Sequence, residues 1–220
     1  MVASDRPIPP RIPRDLTREA DACFDDDALW ENVELTGSIE GSGASDVEIA
    51  ESRLTAARLT GVEVSRFRLV DCVVEDCDLS GAMLVESSLE RVELVDCRLT
   101  GAVLIGARMR DVSFTRCKLD GVALRGATGH RARFDDCVLS AADLFGAKLT
   151  AARFYDCDLS GADVSEASLT GARFHGSRLD DLRGALGLRG ATIDPAQVLA
   201  LALPLCTALG IGVADGPGTD

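Results

Sequence analysis

Five cysteines at intervals of 20 residues are the first candidates for chemistry in this chain. They are Cys77, Cys97, Cys117, Cys137 and Cys157. Thiolates bind zinc, but a zinc site gathers its ligands into a tetrahedron and typically draws them from closely spaced cysteine pairs. One thiol per 20 residues fits small buried side chains in a repeating slot better. Since His130 and His175 also lack a matching nucleophile or metal motif, we expect no catalytic residue, no metal site, no cofactor and no enzymatic activity.

Carboxylates recur at the same interval, one residue before the cysteines. Asp76, Asp96, Asp136 and Asp156 form this row, Arg116 interrupts it, and Glu75 and Asp135 stand beside it. Asp side chains often cap the amides of turns, which would give the row a purely structural role. A line of evenly spaced negative charges also imitates the phosphates of a DNA strand. The second interpretation predicts a partner-binding acidic ridge made of Glu75, Asp76, Asp96, Asp135, Asp136 and Asp156.

The overall charge limits the possible partners. The 220 residues carry a formal net charge of −13, and residues 1–50 alone hold 12 acidic and 4 basic side chains. Such a surface disfavours direct nucleic-acid binding and anionic membranes. The sequence contains no run of 18 apolar residues, the length needed to span a bilayer. The first 15 residues lack the apolar core of a secretory signal. We therefore expect a cytoplasmic protein with reduced cysteines.

A period of five residues organises the chain from Leu54 to Leu179. A large apolar residue stands at every fifth position, with the single exception of Gly129. A period of five fits neither a helix nor a flat strand. Turn glycines and the cysteines return every 20 residues, which indicates that the chain completes one coil in four pentapeptides. The heptapeptide DCDLSGA, present at 76–82 and again at 156–162, therefore occupies one structural slot four coils apart.

These pentapeptides resemble the pentapeptide-repeat family. The segments SGADVSEASLTGARF at 160–174 and SAADLFGAKLTAARF at 140–154 carry the resemblance most clearly. The family implies an all-β fold, a right-handed quadrilateral β-helix with four pentapeptides per coil. We expect an N-terminal extended segment and cap at 1–28, the β-helix at 29–193, a C-terminal capping and dimerisation helix at 194–211 and a disordered tail at 212–220.

The register of the repeat is disturbed at three places. Before Leu54 we expect an irregular first coil with a loop at 41–45, and Phe24, Leu29 and Trp30 should cap its open end. At Gly129 the missing large side chain predicts a bulge or a cavity, which a leucine could fill. After Leu179 a register slip should close the last coil.

The C-terminal helix has apolar residues on two sides. Asp194 is the expected N-cap, Pro195 the first helical residue and Gly210 the stop. One side could pack on the last coil, and the second could meet another copy of the chain. The predicted dimer interface consists of Val198, Leu201, Ala202, Leu205 and Leu209.

The resemblance extends to the gyrase-protecting Qnr and MfpA types of the family. It implies a DNA-mimicking homodimer that binds a type II topoisomerase, DNA gyrase, and inhibits it or protects it from quinolones or toxins. The alternative is a scaffold for some other protein, whose contact site would be an outward apolar strip. That strip is formed by Met83, Val85, Val103, Ile105 and Phe145.

Overall fold

The computed structural model describes residues 6–214, and this part of the chain winds into a parallel β-helix of about seven turns. Each coil pairs with the next at a distance of 20 residues, as when Arg108 pairs with Ser88 on one side and Thr128 on the other. The predicted right-handed quadrilateral β-helix with one C-terminal helix is confirmed.

The strands are short because the chain turns a corner every five residues. They are β1 (Thr17–Ala20), β2 (Leu29–Glu31), β3 (Val33–Thr36), β4 (Ser42–Ser45), β5 (Glu48–Ala50), β6 (Arg53–Thr55), β7 (Glu63–Ser65), β8 (Arg68–Glu75), β9 (Ser88–Val95), β10 (Arg108–Thr115), β11 (Thr128–Asp135) and β12 (Arg153–Tyr155). Two 3-10 turns, Ala185–Leu188 and Pro195–Gln197, precede helix α1 (Val198–Ala208).

Every fifth residue from Asp46 to Asp181 forms a corner with a positive φ, between 47° and 72°. Four such corners complete one coil. Ten of the non-glycine residues with positive φ are aspartates, one of the few residue types that accept the left-handed conformation readily. The backbone thus explains why Gly and Asp are frequent at the corner positions.

Identical side chains stack inside the coils. The rings of Phe114, Phe134, Phe154 and Phe174 lie parallel, with successive centroids 4.7, 4.9 and 4.8 Å apart. The cysteine column is buried, and Cys97 donates its S–H to the carbonyl of Val74 in the preceding coil at 3.3 Å. The core therefore consists of columns in which the same residue type stacks on itself in successive coils.

The interior of the rod is filled. The enclosed space beside Leu79 and Leu84 measures ≈ 20 Å³ and exposes no polar surface. A space of this size holds about one water molecule, so it has no room for a small-molecule ligand. Any binding by the coils has to use their outer surface.

The N-terminal end is closed by an irregular coil. Strand β1 pairs in parallel with β3, so strand pairing begins at Thr17, within the segment expected to serve as extension and cap. Phe24 is buried, and its ring lies 5.7 Å from that of Phe67. Leu29 is 64% exposed and does not take part in the cap.

Two expected irregularities differ from their predicted form. Residues 42–45 form strand β4 rather than a loop, with a register shift between Ser42 and Ala44 against β7. Gly129 lies in continuous register opposite Met109, so the predicted bulge is wrong. A Cβ atom at Gly129 would approach Cδ2 of Leu149 to 2.6 Å. The neighbouring leucine has taken the space that the missing side chain leaves.

The C-terminal end is closed by a polar plug that the sequence analysis overlooked. Gln197 is buried, and its side-chain amide donates to the carbonyl oxygens of Phe174 and Ser177 at 2.5 Å each. Its own amide oxygen accepts the backbone N–H of Asp194 at 2.7 Å. Asp194 thus begins the turn that leads into α1, in the expected capping position.

Replacing Gly129 by leucine should destabilise the protein, because Leu149 already fills the slot. Overpacking of this kind lowers the free energy of unfolding by roughly 1–3 kcal/mol. Chemical denaturation of Gly129→Leu measures the loss in the free energy of unfolding. In a Leu149→Ala background the same substitution should cost less. A stabilised Gly129→Leu protein would show that the slot is empty.

The Asp194 cap should weaken in acid. Its carboxylate accepts the Gly176 N–H at 2.6 Å and contacts Nδ1 of His175 at 2.6 Å, and these two contacts lower the pKa of Asp194 below its ordinary value of 3.8. A lowered folded-state pKa gives stability that is present above the ordinary value and disappears as the pH falls through the folded-state value.

The melting temperature of the unaltered protein should therefore exceed that of Asp194→Asn at about pH 6, and the gap should close below about pH 3. Glu166→Gln, which neutralises an exposed corner residue, is the control and should produce a smaller gap. A gap for Asp194→Asn that persists unchanged in acid would contradict the assigned role of the carboxylate.

Candidate partner-binding surfaces

The predicted acidic ridge lies on one corner of the rod. Asp76, Asp96, Asp136 and Asp156 all occupy corner positions, with φ between 53° and 55°. Arg116 occupies the same corner with φ 52°, between Asp96 and Asp136. The backbone N–H of each aspartate bonds to the next coil, so the row is held rigidly along the rod axis. Glu75 and Asp135 lie just before the corner, at the ends of β8 and β11.

Ion pairs divide this ridge into two parts. Arg116 makes a bidentate pair with Asp96, with both N···O distances at 2.7 Å, and this hydrogen bonding lowers the pKa of Asp96. Asp135 pairs with Arg133, and Glu75 lies 3.6 Å from Arg53. Among residues 6–214, Asp76, Asp136 and Asp156 form no ion pair. The strongest negative charge therefore lies at the two ends of the ridge and not at its middle.

The ridge aspartates do not cap turns, which was their alternative role. That function belongs to residues on the adjoining sides. Asp78 and Asp158 accept the backbone N–H groups of Ser80 and Ser160 at 3.0 Å. Asp163 does the same for Ser165 at 2.9 Å. The left-handed backbone of the corner explains why aspartates occur in the ridge, and Asp76, Asp136 and Asp156 remain exposed to the solvent.

A rule that the sequence analysis missed decides which corner aspartates form ion pairs. A corner aspartate followed by arginine 20 residues later forms a bidentate ion pair with it. The pairs are Asp46–Arg66, Asp71–Arg91, Asp96–Arg116 and Asp111–Arg131. The spacing of 20 was the signal that could have revealed them, since it brings equivalent corners of neighbouring coils together.

The C-terminal helix presents most of its apolar residues to the solvent. Leu201 is buried against the last coil, in a groove with Ala185, Leu188 and Ile193. Of the other predicted interface residues, Val198 is 58% and Leu209 61% exposed; Ala202 and Leu205 are exposed as well. Leu199 and Leu203, which lay outside the predicted interface, are 85% and 63% exposed.

Leu201 thus stabilises its own chain, and an uncovered apolar face surrounds it. That face, the C-terminal apolar patch, consists of Val198, Leu199, Ala202, Leu203, Leu205 and Leu209. The predicted tail at 212–220 falls mostly outside the described residues.

The predicted apolar strip on the rod is weaker. Met83 is 44% and Ile105 39% exposed, whereas Val85, Val103 and Phe145 are half-buried. The guanidinium of Arg125 lies over the Phe145 ring, 4.7 Å from its centroid, and covers part of it. The exposed apolar surface is therefore concentrated around two side chains.

Residues 6–214 contain no cluster of three or more His, Cys, Asp or Glu side chains that could hold a metal ion. Burial raises the pKa of the Cys72 thiol to about 12, and the thiols of the cysteine column are buried as well. Such thiols are poor nucleophiles at neutral pH. In the same described range, no helix is both long and apolar enough to cross a membrane.

Comparison with solved structures finds the same fold. Full-length QnrB1, a plasmid-mediated fluoroquinolone resistance protein, superposes with a TM-score of 0.51 at 23% sequence identity, over 89% of this chain and 100% of QnrB1. The pentapeptide-repeat protein HetL of the cyanobacterium Nostoc is 24% identical over 76% of this chain and 90% of its own, with a TM-score of 0.22. No curated protein matches the sequence.

The family model described as pentapeptide repeat region matches residues 47–124 and 107–183. Together these matches span 47–183, more than half of the 220 residues. They coincide with the regular coils, whose corners and stacked core residues are described above. This chain belongs to the pentapeptide-repeat family.

Proposed function

We propose that this protein is a DNA mimic that binds a type II topoisomerase, DNA gyrase, and either inhibits it or protects it from quinolones or toxins. The observation that carries the proposal is the rigid row of corner carboxylates along the rod. Coils stack about 4.8 Å apart, so the row offers one corner side chain per coil, a carboxylate in every coil from Asp76 to Asp156 except that of Arg116. DNA presents one phosphate per 3.4 Å or so along each strand, which makes the ridge a sparser version of the same pattern.

The division of the ridge refines this proposal. Neutralisation of Asp96 by Arg116 leaves Asp76 with Glu75 at one end and Asp136 with Asp156 at the other. A positively charged DNA-binding groove would therefore meet two acidic clusters about three coils apart, roughly 14 Å. The fold shared with QnrB1, a fluoroquinolone resistance protein, is consistent with this role. Binding to gyrase would take place in the cytoplasm.

A gyrase supercoiling assay with and without ciprofloxacin tests the proposal. We expect the protein to inhibit supercoiling or to restore it in the presence of the drug, at micromolar concentration. Because charge complementarity dominates such an interface, the effect should weaken as the salt concentration rises. Neither inhibition nor rescue at low salt would reject the topoisomerase role.

Neutralising the ridge tests where gyrase binds. The triple variant Asp76→Asn, Asp136→Asn, Asp156→Asn removes three charges, and Asn tolerates the left-handed corner. We expect the concentration for half-maximal effect to rise at least roughly tenfold, which corresponds to about 1.4 kcal/mol.

The matched control carries Glu86→Gln, Glu166→Gln and Asp181→Asn, which remove three charges from corners in other columns. It should keep its potency. Equal loss in the two variants would attribute the effect to net charge, and no loss in either would move the binding site away from the ridge.

We further propose that the chain forms a homodimer through the C-terminal apolar patch. Exposed leucines grouped on one helix mark a contact surface, because isolated monomers rarely leave such a group uncovered. A two-fold interface at this end would join two rods into one longer acidic particle.

Charged residues in the patch should separate the two copies. Leu199→Glu with Leu203→Glu is expected to sediment as a monomer while keeping its fold, since neither side chain is buried. Met83→Glu with Ile105→Glu changes two exposed apolar residues on the rod and should leave the mass unchanged. An unaltered sedimentation coefficient in the patch variant would exclude this interface.

The alternative function is a scaffold for another protein partner without a topoisomerase role. The exposed side chains of Met83 and Ile105 are the observation that favours it. If the supercoiling assay is negative, loss of a partner in pull-downs with Met83→Gln and Ile105→Gln would support this alternative.

A further inference from the structure

The N-terminal residues 6–14, here called the strap, run along the rod axis instead of joining a coil. The backbone N–H of Arg11 donates to Oδ1 of Asp71, and that of Ile8 donates to Oδ1 of Asp111, each at 3.0 Å. Asp71 and Asp111 are two coils apart. Three residues of strap therefore cover two coils.

This spacing matches a polyproline II helix. Four prolines, Pro7, Pro9, Pro10 and Pro13, favour that conformation. A polyproline II helix advances about 9.3 Å in its three-residue turn. Two coils at roughly 4.8 Å each advance about 9.6 Å. Pro7, Pro10 and Pro13 are accordingly half-buried at intervals of three, whereas Ile8 and Arg11 expose their side chains.

The corner under the strap differs from the other corners. Strands β8 to β11 continue across it, and the column reads Asp71, Arg91, Asp111, Arg131. Each arginine holds the preceding aspartate in a bidentate pair, so the carboxylates alternate with a period of two coils. Their side chains are only 9% and 3% exposed, compared with 45% and 39% for Asp46 and Asp96 in the same kind of pair at other corners.

We propose that the corner column of Asp71, Arg91, Asp111 and Arg131 is a recognition track for a peptide in the polyproline II conformation. Residues 6–14 are the occupant that the chain itself supplies. The two aspartates of the track accept hydrogen bonds from two backbone N–H groups three residues apart, and prolines between these donors keep the peptide extended. A groove lined by Arg6, Pro7 and Asp135 continues the strap onto the side that ends at the acidic ridge.

The first experiment releases the strap in the full-length chain. Ile8→Pro with Arg11→Pro removes both donors but preserves the extended conformation. Trypsin cleavage after Arg14, followed by mass spectrometry, should accelerate by roughly tenfold or more, since two hydrogen bonds to charged acceptors are lost. Ile12→Pro, which keeps both donors, is the control and should be cleaved at the original rate.

The same release should follow when the acceptors are removed. Asp71→Gly with Asp111→Gly suits the left-handed corners and leaves no carboxylate. Asp46→Gly removes an equivalent aspartate from an equivalent bidentate pair away from the strap, and cleavage should not change. Unchanged cleavage in both strap-releasing variants, with the melting temperatures retained, would overturn the proposal.

The second experiment offers a peptide to the vacated track. A fluorescent peptide with the sequence of residues 5–16 should bind the Ile8→Pro, Arg11→Pro protein at least roughly tenfold more tightly than the unaltered protein, a difference of about 1.4 kcal/mol. It should not bind when Asp71→Gly and Asp111→Gly are added, and a peptide carrying prolines at both donor positions should not bind either. A released strap without peptide binding up to about 1 mM, a threshold of −4.1 kcal/mol, would show that the corner is no recognition site.

Discussion

The structure depends on one backbone constraint, a left-handed residue at every fifth position. A residue in this conformation costs an L-amino acid roughly 1–2 kcal/mol relative to its preferred regions. The corner places the following segment against the neighbouring coils, where its amides bond to carbonyls 19 or 21 residues away and its large side chain enters the stack. Burial and hydrogen bonding in neighbouring coils offset the strain at the corners.

This constraint also shapes the charge of the protein. Aspartate is favoured at a left-handed corner whether or not a partner exists, so the net charge of −13 is partly a consequence of the fold. The residue 20 positions later decides whether each corner carboxylate forms an ion pair. Arginine neutralises it, as Arg116 does for Asp96, whereas a second aspartate leaves both exposed, as in Asp136 and Asp156. The distribution of unpaired charges at the corners is therefore a better guide to a binding surface than the net charge of the chain.

The five-residue repeat made the regular coils predictable from the sequence. The predictions failed where the repeat is interrupted. Large residues every fifth position and glycines every twentieth identify the corners, the sides and the stacked core. Gly129 was misjudged because the sequence cannot show that Leu149 leans into the vacant slot. The loop expected at 41–45 is a strand because Ala44 is buried in the position of a larger side chain.

The candidate surfaces were predictable to different degrees. The acidic column followed directly from the 20-residue period, but its division by ion pairs depends on side-chain reach between coils. On the C-terminal helix, the apolar pattern alone could not tell that Leu201 packs inward while Leu199 and Leu203 remain exposed. The plug made by Gln197 was invisible for the same reason, since its partners are carbonyls of a distant corner.

The strap supplies what the coils by themselves lack. In a solenoid each coil contacts only its neighbours, so nothing in the repeat ties together coils that are further apart. Ile8 and Arg11 lie three residues apart, yet they bond to Asp111 and Asp71 across two coil spacings. Opening the rod between those coils would have to break this axial connection as well as the ladder bonds. The strap donates a hydrogen bond once in three residues, and the corner offers an accepting aspartate once in two coils. These two distances along the rod match because aspartate alternates with arginine at this corner.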